Sequence, residues 1–456
     1  MFREKRYELK NWKGIIHTTW NPGGPGVVRI HMVPPKFYLW KLAPSMVILN
    51  GQDYVPLDEA WAILLTESVK GVNAFGEGEM SSEELEEIIS DAFHRVRSVY
   101  PEVSDNRLRE DLITITDTFA DIACGRIPTQ EIGQLSMGEY APYMNAPFRM
   151  DLMVSAMAVN GKWHCNQKCI HCYAAGQPLS EGEELSTEEW KKIIYQCQKA
   201  RIPQLTFTGG EPTMRDDLCE LIKEARWFVT RLNTNGIRLT KALCKKLREA
   251  ELDSVQITFY AGEKEIHNQL VGGNHYEDTL QGISNAIEAG LSVSINTPLC
   301  SLNKEYRTTL EFLYEKGIRF VTCSGLIVTG NAKEEQSMKT QLSSEELYEV
   351  LKEAVDFCYS HEMEISFTSP GWIAEEKLIE LGLQVPSCGA CLSNMAITPD
   401  GSVVSCQSAL SKKSLGSMKT DSFQKIWNSN RCRKIRAFSA EMRQICPLKE
   451  EASQCK

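Results

Sequence analysis

The chain reads as an α/β protein built around a curved parallel sheet, and three observations predict this. Six short apolar strand-like runs lie between residues 150 and 335, amphipathic helical runs separate them, and polar motifs follow the strand ends. The runs are Leu152-Met153-Val154, Leu205-Thr206-Phe207, Val229-Thr230-Arg231-Leu232, Val255-Gln256-Ile257-Thr258-Phe259, Val293-Ser294-Ile295 and Phe320-Val321-Thr322. Each return to a parallel strand needs a crossover, usually a helix, so this alternation implies parallel pairing. Such sheets gather their site residues at the carboxyl ends of the strands. The first crossover starts at a capping box, Ser186 with Glu189, and then puts Trp190, Ile193, Ile194 and Cys197 on one face.

Residues 1–130 are expected to form a separate domain. Val47-Ile48-Leu49 and Tyr54-Val55 flank Asn50-Gly51, a hairpin signal because Asn-Gly accepts the positive φ of a tight turn. A helix follows from Asp58 to Thr66. A second helix opens on the Ser81/Glu84 capping box and carries Leu85, Ile88, Ile89, Ala92, Phe93 and Val96 at helical spacing until Pro101. A third carries Leu108, Leu112, Ile115, Phe119 and Ile122 as one stripe. A hairpin with three helices is a winged-helix-like arrangement. Residues 336–456 begin with a helix from about Ser343 to Tyr359 and end in a Cys-rich tail; Ala332 to Gln341 reads as a polar loop.

Composition narrows the function. A net charge of −10 offers no general attraction to phosphate backbones, so nucleic acid is not an expected partner. No apolar run reaches the roughly 18 residues of a membrane span, and MFREKRYELKNW lacks a signal-peptide core, so a cytoplasmic location is expected. Sixteen cysteines in a reducing compartment point to metal binding or catalysis rather than to disulfides.

The densest group, Cys165-Asn-Gln-Lys-Cys169-Ile-His-Cys172, follows the first strand of the sheet. Three thiolates within eight residues suit a cubane cluster and leave one of its irons open, whereas structural zinc sites close with four ligands. The CxxxCxxC spacing with Tyr173 behind it resembles the signature of the radical S-adenosylmethionine (radical SAM) superfamily. The resemblance implies a partial (β/α)6 TIM-like barrel, and a 4Fe-4S cluster on Cys165, Cys169 and Cys172 that chelates S-adenosylmethionine. Reductive cleavage would then give a 5′-deoxyadenosyl radical, with flavodoxin or ferredoxin as electron donor.

The resemblance extends to the following strand ends. Gly209-Gly210-Glu211-Pro212 is similar to the family's GGEP motif, which holds the cofactor's amino group; glycines admit a close backbone approach, and the Glu211 carboxylate suits an ammonium. Asn233 and Asn235 on the third strand, Gln256 and Thr258 on the fourth, and Ile327 after the sixth match positions that contact ribose, carboxylate and adenine. Asn-Gly is also a common turn, and Ile327 suits a core equally. The stretch from Glu265 to Gly272 is similar to a segment of peptide-modifying radical SAM enzymes, with Asn268 where an aspartate is usual. His267 within it is read as structural before it is read as a base.

In the tail, Cys388-Gly-Ala-Cys391 precedes a Pro399-Asp400-Gly401 hairpin that folds Cys406 back, with Cys446 and Cys455 beyond. This resembles a SPASM or twitch extension. With fewer cysteines than a full SPASM tail, it implies one auxiliary iron-sulfur cluster drawn from Cys388, Cys391, Cys406, Cys446 and Cys455; a zinc knuckle is the alternative. The first domain resembles the recognition domain that takes a leader segment as an added strand. Together these imply a maturase of ribosomally made precursor peptides that forms a thioether or carbon-carbon crosslink. The alternatives are a radical SAM enzyme acting on a tetrapyrrole, another small molecule or a protein, and a non-catalytic metal-binding regulator.

Overall fold

The computed structural model describes residues 16–20, 28–33, 36–38, 41–43, 45–49, 53–75, 80–123, 137–410 and 413–449. Two compact units divide at Phe148/Arg149. Cys124, Cys455 and the Asn50-Gly51 turn lie outside the described residues.

The first unit has more sheet than the hairpin expected. Strands β1 (Ile16–Trp20), β2 (Val28–Val33), β3 (Ser45–Leu49) and β4 (Asp53–Leu57) pair antiparallel in the order β1-β2-β3-β4. β2 lies between β1 and β3, and its Val28, Ile30 and Met32 are buried. Helices α1 (Glu59–Phe75), α2 (Ser82–Arg97) and α3 (Asp105–Ala123) complete the unit. Both halves of the Ser81/Glu84 capping box form, with Ser81 N–H donating to Glu84 Oε2 at 2.8 Å. The expected stripe of α2 holds at Ala92, Phe93 and Val96, but Leu85 is 43% exposed. Only the carboxyl-terminal half of α2 reaches the core shared with Leu108, Ile115 and Phe119 of α3.

All six expected runs of the second unit are strands: β5 (Arg149–Ser155), β6 (Gln204–Gly209), β7 (Val229–Thr234), β8 (Ser254–Thr258), β9 (Ser292–Pro298) and β10 (Phe320–Ser324). They pair parallel in sequence order. The sheet does not stop near residue 335. A seventh parallel strand, β11 (Glu364–Phe367), joins β10. On the other side, β12 (Asn394–Ile397) adds parallel to β5, followed by antiparallel β13 (Ser402–Val404) and β14 (Gly416–Ser417). The tail, expected as its own module, thus shares one ten-stranded sheet with the barrel residues.

The crossovers used below are α4 (Thr187–Lys199), α5 (Leu218–Glu224), α6 (Lys241–Glu249), α7 (Lys264–Val271) and α8 (Tyr276–Glu288). α4 begins at the Ser186/Glu189 capping box and buries Trp190, Ile193, Ile194 and Cys197, as its spacing predicts. Among the described residues, no helix is long and apolar enough to cross a membrane.

Candidate active site

A cavity of about 390 Å³ opens among the strands of the second unit. Cys165, Cys169 and Cys172 line it together with Gly209, Gly210, Glu211, Asn233, Asn235, Gln256, Thr258 and Ile327. Of the expected cofactor residues, Pro212 does not reach it; Pro212 opens a short 3-10 turn behind the glycines.

The cysteine loop lies at the carboxyl end of β5 and is clamped by its backbone from two directions. The last carbonyls of α7 accept from it: Lys168 N–H donates to Val271 O at 3.2 Å and Ile170 N–H to Leu270 O at 3.1 Å. Gly272, which ends α7 at φ +68°, lies so close that a Cβ there would sit 2.2 Å from Lys168 O. From the other direction, Asn331 Nδ2 donates to Cys169 O at 3.0 Å, Asn331 N to Cys172 O at 2.9 Å, and Ser337 Oγ to Ile170 O at 2.8 Å. His171 Nε2 meets Thr340 Oγ1 at 2.8 Å. Asn331 and the stretch Ala332 to Gln341 thus fasten the cysteines; that stretch, expected as a polar loop, holds the end of a 3-10 turn (Gly330–Lys333) and a short helix (Glu335–Met338). Its polarity was visible, but its partners lie more than 160 residues upstream.

His267 is fully buried, with its ring 4.7 Å from that of Phe259, and its Nδ1 accepts from Tyr260 N–H at 3.3 Å. Burial, with His275 as a minor cause, lowers its pKa to about 4, so it sits neutral in the core and is not a base at the cavity. The unfolded chain binds a proton near pH 6.5 that the folded chain refuses down to about pH 4, so stability falls as pH drops through that window. Between pH 7 and pH 5 this group alone is expected to remove about 2 kcal/mol, and His267→Gln should reduce the pH dependence of the urea midpoint accordingly.

The two glycines serve packing as well as access. A Cβ on Gly209, at φ +142°, would lie 2.2 Å from Ser155 O, and one on Gly210 would lie 2.6 Å from Ala156 O. β6 therefore closes onto the end of β5 with no room for a side chain, at the point where its register shifts. Glu211, 1% exposed, ties the next strand to this corner. Its Oε1 accepts from Thr213 N (3.0 Å), Thr213 Oγ1 (2.6 Å) and Thr234 Oγ1 (2.7 Å), and its Oε2 accepts from Asn235 N (2.8 Å). A carboxylate has about four acceptor sites. The ammonium-binding role expected for Glu211 is therefore left with at most one lone pair, on Oε2, beside the backbone of the glycines. Burial still outweighs these bonds and raises the Glu211 pKa. Glu211→Gln, which replaces one acceptor with a donor facing other donors, is expected to cost about 2 kcal/mol, read as a lower thermal midpoint.

Asn235 extends the link to the cysteines, donating from Nδ2 to Asn166 Oδ1 at 2.7 Å, inside the CxxxCxxC loop. Asn233 Oδ1 is buried without a partner, an acceptor aimed at the cavity that suits a hydroxyl. Gln256 donates to Thr322 Oγ1 at 3.2 Å.

The three thiols fit an inorganic cluster by chemistry and placement. Burial pushes Cys165 up to about 12, with the Glu211 and Cys172 charges adding, and also raises Cys169 and Cys172. Such thiols are poorly ionised alone and need a cationic partner to hold them as thiolates.

In the tail, Cys388, Cys406 and Cys446 line a second cavity of about 140 Å³. Burial raises the Cys406 pKa to about 11, and charge on Cys388 and Cys446 adds to this. Cys391, expected as a ligand, faces elsewhere. At φ +53° it is fully buried, and its thiol is paired electrostatically with that of Cys432 on α9 (Asn430–Ala440). The pairing raises Cys391 and lowers Cys432, whose sulfur also accepts from Arg436 Nη1 at 3.5 Å. Spacing gave no sign of the Cys432 pairing, because a helix supplies it from 41 residues away. Sequence reasoning also missed Arg149, Thr206, Arg231, Asn296 and Thr322 as cavity residues.

Residues 164–313 match the family model of the radical SAM superfamily, and residues 388–456 match that of the SPASM iron-sulfur cluster-binding domain. A probable GTP 3',8-cyclase of Thermococcus kodakarensis is 32% identical over 168 residues, 36% of this chain and 54% of that protein. An Fe-coproporphyrin III synthase of Methanosarcina barkeri is 32% identical over 186 residues, 40% and 46% of the two chains. This chain thus spans about half the length of these curated relatives. Among solved structures, SuiB of Streptococcus suis bound to the precursor peptide SuiA aligns over 88% of this chain and 91% of its own, with a TM-score of 0.59 at 15% identity. Native anSMEcpe with bound AdoMet covers 64% and 83%, with a TM-score of 0.52 at 20% identity. The cysteine loop and the parallel sheet that carries it thus lie in a radical SAM domain at residues 164–313, and the tail carries a SPASM iron-sulfur cluster-binding domain at residues 388–456.

Proposed function

We propose that this chain is a radical SAM enzyme that modifies a ribosomally made precursor peptide, forming a thioether or carbon-carbon crosslink. The observation that carries the radical assignment is the set of three half-buried thiols, Cys165, Cys169 and Cys172, facing one cavity with the Gly209-Gly210 backbone. Those thiols would hold the 4Fe-4S cluster. When bound, the cluster supplies the electron that cleaves S-adenosylmethionine to a 5′-deoxyadenosyl radical, with a flavodoxin or ferredoxin as its source.

The protein residues bind and orient. The Gly209 and Gly210 backbone offers acceptors to the cofactor's amino group. Asn233 and Thr258 offer polar contacts along the strand ends, and Ile327 offers an apolar one. The Glu211-Thr234-Asn235-Asn166 chain of hydrogen bonds fixes the cysteine loop relative to the third strand. Cys388, Cys406 and Cys446 would hold an auxiliary cluster with one more ligand, for which Cys455 is the candidate.

Two things support the peptide substrate. The first unit carries an antiparallel sheet with edge strands β1 and β4, a surface on which a leader can add as a strand. The fold is also shared over most of its length with a protein solved with its precursor peptide. A second reading, a tetrapyrrole or other small-molecule substrate, draws on the curated relative named as a coproporphyrin synthase.

The test is anaerobic reconstitution with dithionite and S-adenosylmethionine, in the presence and absence of short peptides encoded beside the gene. Deoxyadenosine formation that rises with a peptide, together with loss of two hydrogens from that peptide by mass, is the expected result. Turnover of a porphyrinogen but of no peptide would favour the second reading.

A further inference from the structure

Away from the cysteines, the same cavity is lined by a charged group that the proposed chemistry does not use. Asp151 on β5, Thr206 on β6 and Arg231 on β7 lie in register across three neighbouring strands, and Arg149 precedes Asp151 by one inward position. Arg149 Nε pairs with Asp151 Oδ1 at 2.9 Å, and Asp151 is 1% exposed. Arg149, Thr206 and Arg231 face the cavity. Among the described residues, the Arg231 guanidinium has no hydrogen-bond or ion-pair partner of its own, because the nearest carboxylate is taken by Arg149. Two half-buried guanidiniums share one buried carboxylate, Asp151, whose charge acts on both, so the group leaves a net positive charge inside the barrel that is only partly compensated. The site is therefore built for one more anion, and the planar fork of an arginine suits a carboxylate.

We propose that Arg231, with Arg149 beside it, receives a carboxylate of the substrate, either an acidic side chain or a chain terminus next to the residue being modified. This rests on the peptide-modifying reading and narrows it to peptides that present a carboxylate to the barrel. The methionine carboxylate of the cofactor is the wrong source, because a group chelated at the cysteine cluster sits at the carboxyl ends of the strands. Arg231 lies four residues before Asn235, about 13 Å down the strand. Holding a carboxylate there would hang the neighbouring carbon-hydrogen bond in the space between Arg231 and the cysteine loop. Specificity follows from this half-buried cation, since an amide-bearing substrate would leave it without a charged partner.

The test uses the anaerobically reconstituted full chain and glutarate as probe, with glutaramide and an equal ionic strength of sodium chloride as controls. Glutarate near ten times its dissociation constant is expected to raise the thermal midpoint by about 2 °C, glutaramide is not, and saturating S-adenosylmethionine should leave the rise in place. Arg231→Gln should abolish the rise, while Arg231→Lys, which keeps the charge, should retain part of it. An equal shift from glutaramide, or a glutarate shift that persists in Arg231→Gln, would overturn the proposal. So would its disappearance on adding S-adenosylmethionine, which would give the pocket to the cofactor. If Arg231→Gln fails to fold, the contrast of glutarate with glutaramide on the wild type still decides. Because no turnover is involved, a negative result here is separable from a failure to form deoxyadenosine.

Discussion

Replacing Cys165, Cys169 and Cys172 together with alanine is expected to reduce deoxyadenosine formation to background while about four of about eight irons per chain remain. The remaining iron belongs to the tail. Cys388, Cys406 and Cys446 line a cavity of their own, and none of them faces the barrel cavity. The converse variant, with those three tail cysteines replaced, should keep deoxyadenosine formation and lose the other four irons. Iron counting with ultraviolet-visible and electron paramagnetic resonance spectra of both variants makes the measurement. Loss of all iron from either variant would mean that the two sites are not independent. The alanines themselves are not expected to unfold the barrel, because the loop is held by backbone bonds to Val271, Leu270, Asn331 and Ser337 rather than by its sulfurs.

Gly209→Ala should be among the most damaging single methyl groups in the second unit, costing about 3 kcal/mol and lowering the thermal midpoint by roughly 5 °C. Two penalties add. The residue sits at φ +142°, which an L side chain rarely adopts, and the new Cβ would fall 2.2 Å from Ser155 O, a backbone atom in the middle of the sheet that has no rotamer to escape into. Gly161→Ala is the control. It shares a positive φ, +70°, but meets nothing within 4 Å, so about 1 kcal/mol is expected. Thermal unfolding of the two variants separates conformational strain from steric exclusion. Equal losses would mean that β6 can retreat from β5.

What was legible in the sequence is what local chemistry dictates. The six apolar runs, the capping boxes at Ser81 and Ser186, and the Pro399-Asp400-Gly401 hairpin leading to Cys406 all formed, because spacing and turn residues act within a few positions. Strand β11 went unseen because Glu364-Ile-Ser-Phe is short and alternating, and parallel strands announce themselves by continuous apolar runs. Arg231 read as part of a strand and not as a site, since an arginine between Thr230 and Leu232 looks like a solvent-facing position. Only the curvature of the sheet turns that face inward. Cys391 and Cys432 show the same limit. A Cys-x-x-Cys pair reads as a half-site until the left-handed backbone at Cys391 swings one thiol towards a helix.

The pairing of β12 with β5 carries a consequence for how the chain is made. Asn394 bonds beside Arg149, so the strand that covers this side of the barrel's first strand is synthesised some 245 residues after it. At ordinary translation rates of about 5 to 20 residues per second, β5 waits roughly 12 to 50 s with one row of amides and carbonyls open. A bare, apolar parallel edge of that kind is a template for pairing with another nascent chain. Yield during expression should therefore depend on translation speed and chaperone supply more than the stability of the finished protein would indicate.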